Sequence, residues 1–330
     1  MTTQSGITID GPNKPFNVVD SISRPTPGSN QALVKSLGVG INVVELMQQQ
    51  TGLLVNEWPA VIGSDCVGLV IEIGSDCTRL KRGDYIYGCA PLGQNKLTPM
   101  QETFLAQEDV FLRKSSNLSI EEACTIGVGL LTAGLCLLAG TDLKLPNDGV
   151  KAQEKDEWIV VLGGSGTVGQ FAVQIAVQNG ATETFNNRAP IDEQLTEIRK
   201  VTGGNFARVI DTTANGYELM VKALETCSTA DTKFLTTVDD WSEFNTPSTI
   251  KEYRAELGHL CRLDEALGRE VTRDIAGWIP AFETHLAAGT LKPVAFQVVD
   301  GVGWDKVIEG VEMFQGGKAD KKIVVRTQTE

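Results

Sequence analysis

Residues 158–180 read WIVVLGGSGTVGQFAVQIAVQNG, and this stretch decides the fold. Ile159 to Leu162 are apolar and mostly β-branched, the composition of a strand buried on both faces. From Thr167 to Asn179 the apolar residues recur at helical spacing until Gly180 ends the pattern. Gly164, Gly166 and Gly169 stand between the two as G-x-G-x-x-G, the context that gives this short motif its meaning. The first glycine permits a tight turn, the second lets the backbone approach a pyrophosphate, and the third lets the helix pack on its strand. Backbone N–H groups at the helix start face a phosphate there, where the helix dipole favours negative charge. Gly164, Ser165, Gly166, Thr167, Val168 and Gly169 are therefore the candidate dinucleotide contacts. A glycine-rich turn without a ligand is the alternative, and the switch of periodicity at the turn speaks against it.

Outward from this unit, the chain of 330 residues is long enough for two domains with separate cores. An apolar share of 42% fits a globular protein, and 42 acidic against 29 basic side chains leave a net charge of −13. That balance argues against nucleic acid or an anionic membrane as partner. The start, MTTQSGITID, has no basic segment followed by an apolar one, and no apolar run is expected to reach the length of a membrane span. The seven cysteines are scattered, odd in number and free of any C-x-x-C pair, which fits small buried side chains in a reducing, cytoplasmic compartment.

Up to about Leu112 the sequence reads as short strands joined at glycines, a small and strongly bent β domain. Ser119 and Glu122 form a capping box that starts a helix. Beyond Gly180 an αβ alternation continues: ATETF, the helix IDEQLTEIRKVTG led by Pro190, the strand FARVIDTT, the helix YELMVKALETC and the strand KFLTTV. The tail returns to a strand KPVAFQVV, a helix GWDKVIEGVEMF and a last strand KKIVV. The fold class is α/β with a parallel sheet and crossover helices. The expected division is 1–122 with 290–330 as one domain and 123–289 as the dinucleotide-binding domain.

This order, and the local motifs GVGIN, GSDCVGLVIEIGS followed by RLKRGDYIYG, and VTGG followed by VIDTT, resemble the medium-chain dehydrogenase/reductases. The tail stretches LGHLCRLDEALG, AGTLKPVAFQVVDGVGWDKVIEG and FQGGKADKKIVV resemble, within that superfamily, the fungal trans-acting enoyl reductases of polyketide biosynthesis. The resemblance implies a GroES-like bent β domain beside a doubly wound Rossmann sheet. It also implies an NADPH-dependent oxidoreductase that transfers hydride to an activated C=C bond, an enoyl thioester on a polyketide synthase carrier domain. A free-standing quinone or alkenal reductase acting on a small enoyl substrate is the alternative. A catalytically silent binding protein is the alternative of another class. No nucleic acid or membrane partner is implied, and the chain is expected as monomer or dimer.

Where zinc members of this superfamily place their metal ligands, this sequence carries Asn42, Ser64 with Asp65, and Val128, so no ligand set remains and no metal is expected. His259 and His285 are the only histidines and read as structural or exposed. Without a Lewis acid, reduction of a conjugated thioester is favoured over alcohol oxidation, given donors for the developing enolate oxygen. The resemblance places Thr132 against nicotinamide or substrate, although its hydroxyl could equally bond back within a helix. It places Asn42, Val44, Glu45, Leu46 and Met47 at the edge of the active site, with Asn42 and Met47 as catalytic positions. Many relatives read N-P-x-D-x-K here, so Met47 replaces a lysine and can donate no proton. Asn187 and Arg188 match a site beside the adenosine phosphate, Leu235 in KFLTTV a cofactor-lining position, and Lys322, near Lys318 and Lys321, a motif that closes over the cofactor.

After Gly180 the sequence resembles the superfamily's third strand region, so the Rossmann half is shortened by one strand-helix unit. ATETF should then lie parallel to Ile159–Leu162 in the vacated slot. Glu183 is the alternative acidic ribose ligand. NADPH rather than NADH is named from the resemblance, since the loop that discriminates them is missing.

Overall fold

A computed structural model describes residues 2–146, 157–178 and 189–329. In chain order the strands are β1 Thr3–Ile9, β2 Phe16–Ser23, β3 Gln31–Gly40, β4 Ala60–Val61, β5 Asp65–Ile73, β6 Tyr85–Cys89, β7 Thr103–Gln107, β8 Leu112–Arg113, β9 Trp158–Leu162, β10 Phe206–Asp211, β11 Lys233–Thr237, β12 Ile250–Arg254, β13 Phe296–Val302 and β14 Lys322–Arg326. The helices are α1 Val43–Thr51, α2 Ile120–Ala123, α3 Gly127–Gly134, α4 Thr167–Gln178, α5 Ile191–Thr202, α6 Tyr217–Thr226, α7 Ala266–Ala288 and α8 Trp304–Gln315.

The first compact unit comprises 1–128, 258–283 and 293–330. Its seven-stranded sheet runs β13-β14-β3-β5-β6-β8, with β7 also paired to β3, and β1 with β2 and β4 forms a second sheet. Between them Ile9, Val39, Ile41, Met100, Ile323 and Val325 pack into one apolar core. The register sets Gly40 of β3 opposite Asp65 of β5 on one side and Val324 of β14 on the other. Three strands distant in sequence thus meet at one glycine.

The second unit comprises 129–257 and 284–292. Its sheet is parallel throughout, in the order β12-β11-β10-β9. Val160 and Leu162 of β9 are buried with Val209, Leu219 and Leu224. Ile159 and Val161 are half-exposed, so β9 is not sealed on both faces as its composition suggests; the described residues pack one face only. Pro190 stands at the N-cap of α5 and Gly203, at φ 59°, closes it. Ser119 accepts from the Glu122 amide and Glu122 reaches back to the Ser119 amide, the expected capping box. ATETF and Glu183 lie outside the described residues. Positions 179–190 separate α4 from α5 in the chain.

Two expectations need correction. Ile120–Ala139 is 20 residues long with mean hydropathy 1.8, apolar and long enough to cross a membrane, yet 78% of its apolar window is buried inside the protein. Its composition is therefore that of a core helix. The division of the chain also differs, because 258–283 belongs to the first unit. Arg262 donates to the carbonyls of Leu54 and Leu92, and Glu283 accepts from the Arg113 amide at 2.7 Å and pairs with Arg79 and Arg113. These polar clamps, absent from any local periodicity, hold the segment.

Burial favours protonation of Glu283, but the hydrogen bonds from Arg113 and the Arg79 charge outweigh it and hold the carboxyl below its ordinary value. Its stabilisation is therefore present above the ordinary carboxylate range and lost as pH falls through the lowered native value. Glu283→Ala should cost about 1–2 kcal/mol at neutral pH, since it removes the acceptor of the Arg113 amide and of two guanidinium groups, of which Arg79 keeps the Glu108 and Phe111 carbonyls and Arg113 keeps solvent. Denaturant unfolding measures this, and a loss below about 0.5 kcal/mol, the size of an ordinary surface change, would remove the clamp reading.

Candidate functional site

In the second unit, β9 ends at Leu162 and the chain turns through 163–166 into α4. The Gly166 amide donates to the Gly163 carbonyl at 2.9 Å, and the Gln170 amide to that of Gly166 at 2.8 Å. The left-handed position is Gly163, at φ 83°, rather than Gly164. A Cβ on Gly163 would lie 2.5 Å from Thr213 Cγ2 and 2.7 Å from Thr212 Oγ1, and one on Gly169 only 2.1 Å from the Gly163 carbonyl oxygen. Both must be glycine for the turn to fold against β10. The tight-turn role read onto Gly164 thus belongs one residue earlier, while Gly169 keeps its packing role.

Gly164 and Gly166 have no such internal requirement. Among the described residues a Cβ on Gly164 would meet only Val173 at 3.6 Å, and one on Gly166 only the Gly163 oxygen at 3.5 Å, both ordinary contacts. Ser165 and Gly166 are exposed. The first N–H groups of α4, from Thr167 onward, have no intrahelical acceptor and carry the positive end of the helix dipole. A bare backbone edge and unsatisfied donors beside it fit a pyrophosphate. Thr212 and Thr213, which wall this turn from β10, were missed in sequence because their placement depends on strand order.

In the first unit, the positions matched to zinc ligands are gathered around a cation of the chain's own. Asn42 Nδ2 donates to Ser64 Oγ at 2.9 Å and to Asp65 Oδ2 at 3.0 Å. Lys322 Nζ lies 2.6 Å from Asp65 Oδ2 and donates to Asn42 Oδ1. Asp65 Oδ1 accepts from the Val128 amide at 2.6 Å. Ser64 Oγ donates to Glu45 Oε1, and Glu45 Oε2 accepts from the Asn42 amide at 2.6 Å. Glu45, Ser64 and Asp65 are fully buried. Burial raises the Glu45 carboxyl from 4.5 to about 7, against the lowering effects of Ser64 and Lys322. These donors do not suit zinc: they are oxygens, an ammonium occupies their centre, and Val128 offers an N–H where a ligand would offer a lone pair. Among the described residues no three of His, Cys, Asp and Glu are grouped to hold a metal ion.

Several sequence assignments change with this geometry. The Asn42 carboxamide is spent on Ser64, Asp65 and Lys322, so it positions α1 and has no donor left for a substrate. Glu45 and Leu46 face inward, whereas Val44 and Met47 are half-exposed. Leu235 is fully buried in the second unit's core, on a strand paired on both sides at this residue. Lys322 is buried and Lys318 and Lys321 are exposed. Thr132 is 6% exposed on α3 of the second unit. Asn187 and Arg188 lie outside the described residues. His285 donates from Nε2 to the Pro146 carbonyl at 2.7 Å and places Nδ1 2.8 Å from Thr290 Oγ1, a structural tie. The capping-box spacing of Asn42 and Glu45 was the one local signal that could have revealed the buried acid.

Residues 28–111 match the alcohol dehydrogenase GroES-like domain. A trans-enoyl reductase of Pyricularia oryzae is 28% identical over 91% of this chain and 92% of its own. A second, from Penicillium crustosum, is 28% identical over 94% of this chain and 93% of its own. The crystal structure of an alcohol dehydrogenase superfamily protein from Novosphingobium aromaticivorans superposes with a TM-score of 0.76 at 16% identity, covering 98% of this chain and all of that one.

Glu45 yields a pH prediction with a definite sign. Its native value lies above the unfolded one, so the folded state binds more protons between about 4.5 and 7. Stability conferred by the neutral acid is complete below that window and is lost as pH rises through it. Glu45→Gln, which retains an oxygen for the Asn42 amide and a donor for Ser64, should flatten the slope, on the order of 2–3 kcal/mol across the window. Unfolding free energies at pH 5 and pH 8 measure it, and parallel profiles for the two proteins would refute the buried-acid assignment.

Proposed function

We propose that this medium-chain dehydrogenase/reductase, GroES-like in its first unit and similar to fungal trans-enoyl reductases, is a cytoplasmic, NADPH-dependent reductase of enoyl thioesters on a polyketide synthase carrier domain. The observation that carries the reading is the pair Gly164 and Gly166, which the described residues leave bare and do not themselves require. Gly164, Ser165, Gly166 and the amides that open α4 would hold the pyrophosphate. A bound nicotinamide would supply the hydride. The names of the two full-length relatives support the substrate class.

The protein's own contribution is position and surroundings. Asn42 and Lys322 fix the start of α1, and Val44 and Met47 offer it an apolar, half-exposed edge. No side chain from Asn42 to Met47 has a free proton to deliver: Asn42 is committed, Met47 has none and Glu45 is sealed. Protonation of the product carbon is therefore assigned to solvent or to a group outside this segment.

Turnover on carrier-bound enoyl substrate should exceed turnover on the free thioester, quinones or alkenals. Equal or better turnover on the free electrophiles would replace this reading with a general quinone or alkenal reductase. Failure to bind NADPH at millimolar concentration, read by nicotinamide fluorescence, would leave a silent binding protein.

Two variants test the site. Gly166→Val should fold normally, because its Cβ meets only one atom at ordinary distance, yet lose at least about tenfold in NADPH affinity, roughly 1.4 kcal/mol. Gly169→Ala should instead lower the melting temperature. Unchanged NADPH affinity in a folded Gly166→Val protein contradicts the phosphate cradle. Met47→Lys should raise turnover by supplying a proton donor, with little change in stability. An unchanged rate in a cofactor-binding variant would show that proton supply does not limit the reaction.

A further inference from the structure

We infer that Lys322 is the resident cation of the Asn42–Ser64–Asp65 cluster, a tethered ammonium in the place of a metal ion, and that removing it leaves an oxygen-lined site for a hard divalent cation. The inference does not depend on the proposed reaction.

The ammonium is held as a cation site holds its ion. Asp65 Oδ2 lies 2.6 Å away and Asn42 Oδ1 accepts from it, with the lysine side chain 3% exposed and the aspartate fully buried. Each oxygen is itself oriented. Asn42 Nδ2 bonds Ser64 and Asp65, which turns Oδ1 toward the ammonium, and the Val128 amide fixes the other oxygen of Asp65.

Two glycines stand beside this occupant. A Cβ on Gly40 would stand 2.9 Å from Lys322 Cε and 3.0 Å from Asp65 Cβ, and one on Gly127 would stand 2.6 Å from Asp65 Oδ1. Both glycines are required first by backbone, Gly40 by the Cys124 carbonyl oxygen 2.3 Å from such a Cβ and Gly127 by Gly88 at 2.3 Å, and glycine at 40 also leaves the Lys322 side chain its path to Asp65. Glu45, joined through Ser64, adds a second buried carboxyl. Loss of the ammonium would leave the buried Asp65 carboxylate unpaired, an unfavourable state that uptake of a proton or entry of another cation relieves, and the test below separates the two. The two acceptors left without the ammonium, Asp65 Oδ2 and Asn42 Oδ1, are oxygens, which suit Mg²⁺ or Mn²⁺, with water completing the shell, rather than a thiolate-seeking metal.

The test uses the full chain with Mn²⁺ as the probe, read by thermal unfolding and by Mn²⁺ electron paramagnetic resonance. The parent protein should ignore Mn²⁺. Lys322→Ala should melt lower, bind one Mn²⁺ and regain part of the lost melting temperature, as binding to the native state alone requires. Lys322→Ala with Asp65→Asn should lose that response. Should Lys322→Ala fail to fold in buffer, recovery of folded protein only when Mn²⁺ is present in refolding supports the inference equally. A folded Lys322→Ala protein indifferent to Mn²⁺, refolding that fails with and without it, a response that survives Asp65→Asn, or stoichiometric divalent metal in the parent protein would each overturn it.

Discussion

The buried contact between Lys322 and Asp65 is the constraint on which the first unit depends. It joins the last strand, β14, to β5 across β3, and through Asn42 it fixes the first residue before α1. Through the Val128 amide it also holds the start of α3. An exposed pair such as Lys200 with Glu197, with side chains 71% and 47% exposed, is worth at most a fraction of a kcal/mol. A sealed pair differs in kind: breaking it strands a charge at a cost of about 3–5 kcal/mol, although a well-packed apolar pair could match its net stability. Its value is in specifying one arrangement of three chain segments distant in sequence.

The glycine turn of the second unit divides its residues by a different constraint. Gly163 and Gly169 are demanded from within, one by the threonines that follow β10 and the other by the carbonyl it packs on. Gly164 and Gly166 answer to nothing among the described residues of the unit. A chain free to place side chains on an exposed turn and helix start, but leaving two of them bare, has a backbone edge that something outside can approach. Gly164, Gly166 and Gly169 read as a single motif in sequence and Gly163 is not part of it, and only the distances around each separate the structural from the available.

Periodicity made much of the fold legible. The switch from an apolar run to helical spacing located β9 and α4, Pro190 and Gly203 bracketed α5, and Ser119 with Glu122 marked α2. What stayed hidden depended on pairing across long separations. Lys322 reads locally as one of several basic residues in a polar tail, and only the register of β14 against β3 sends it inward to Asn42, while Lys318 and Lys321 remain exposed. Glu45 reads as a helix-start acid, which it is, but its burial follows from Ser64, on the approach to β5. The placement of 258–283 was equally invisible, because Arg262 and Glu283 are anchored to loops far upstream. Leu235, named from resemblance as a cofactor position, is apolar on a central parallel strand, and the core claims such a side chain first.

The same long-range contacts change what the segment from Asn42 to Met47 can do. Read as a string, it offers a carboxamide, a carboxyl and a thioether near a reacting carbon. Folded, the carboxamide has no free donor, the carboxyl is sealed among Ser64, Asn42 and the core, and the ammonium that might have polarised a carbonyl is neutralised by Asp65. Charge in this unit is consumed in holding the segment still. What the segment leaves at its surface is the apolar, half-exposed pair Val44 and Met47 on a rigidly started helix, so under the proposed function its contribution is shape and exclusion of water, and the electrostatic part of the reaction is assigned to groups elsewhere in the chain.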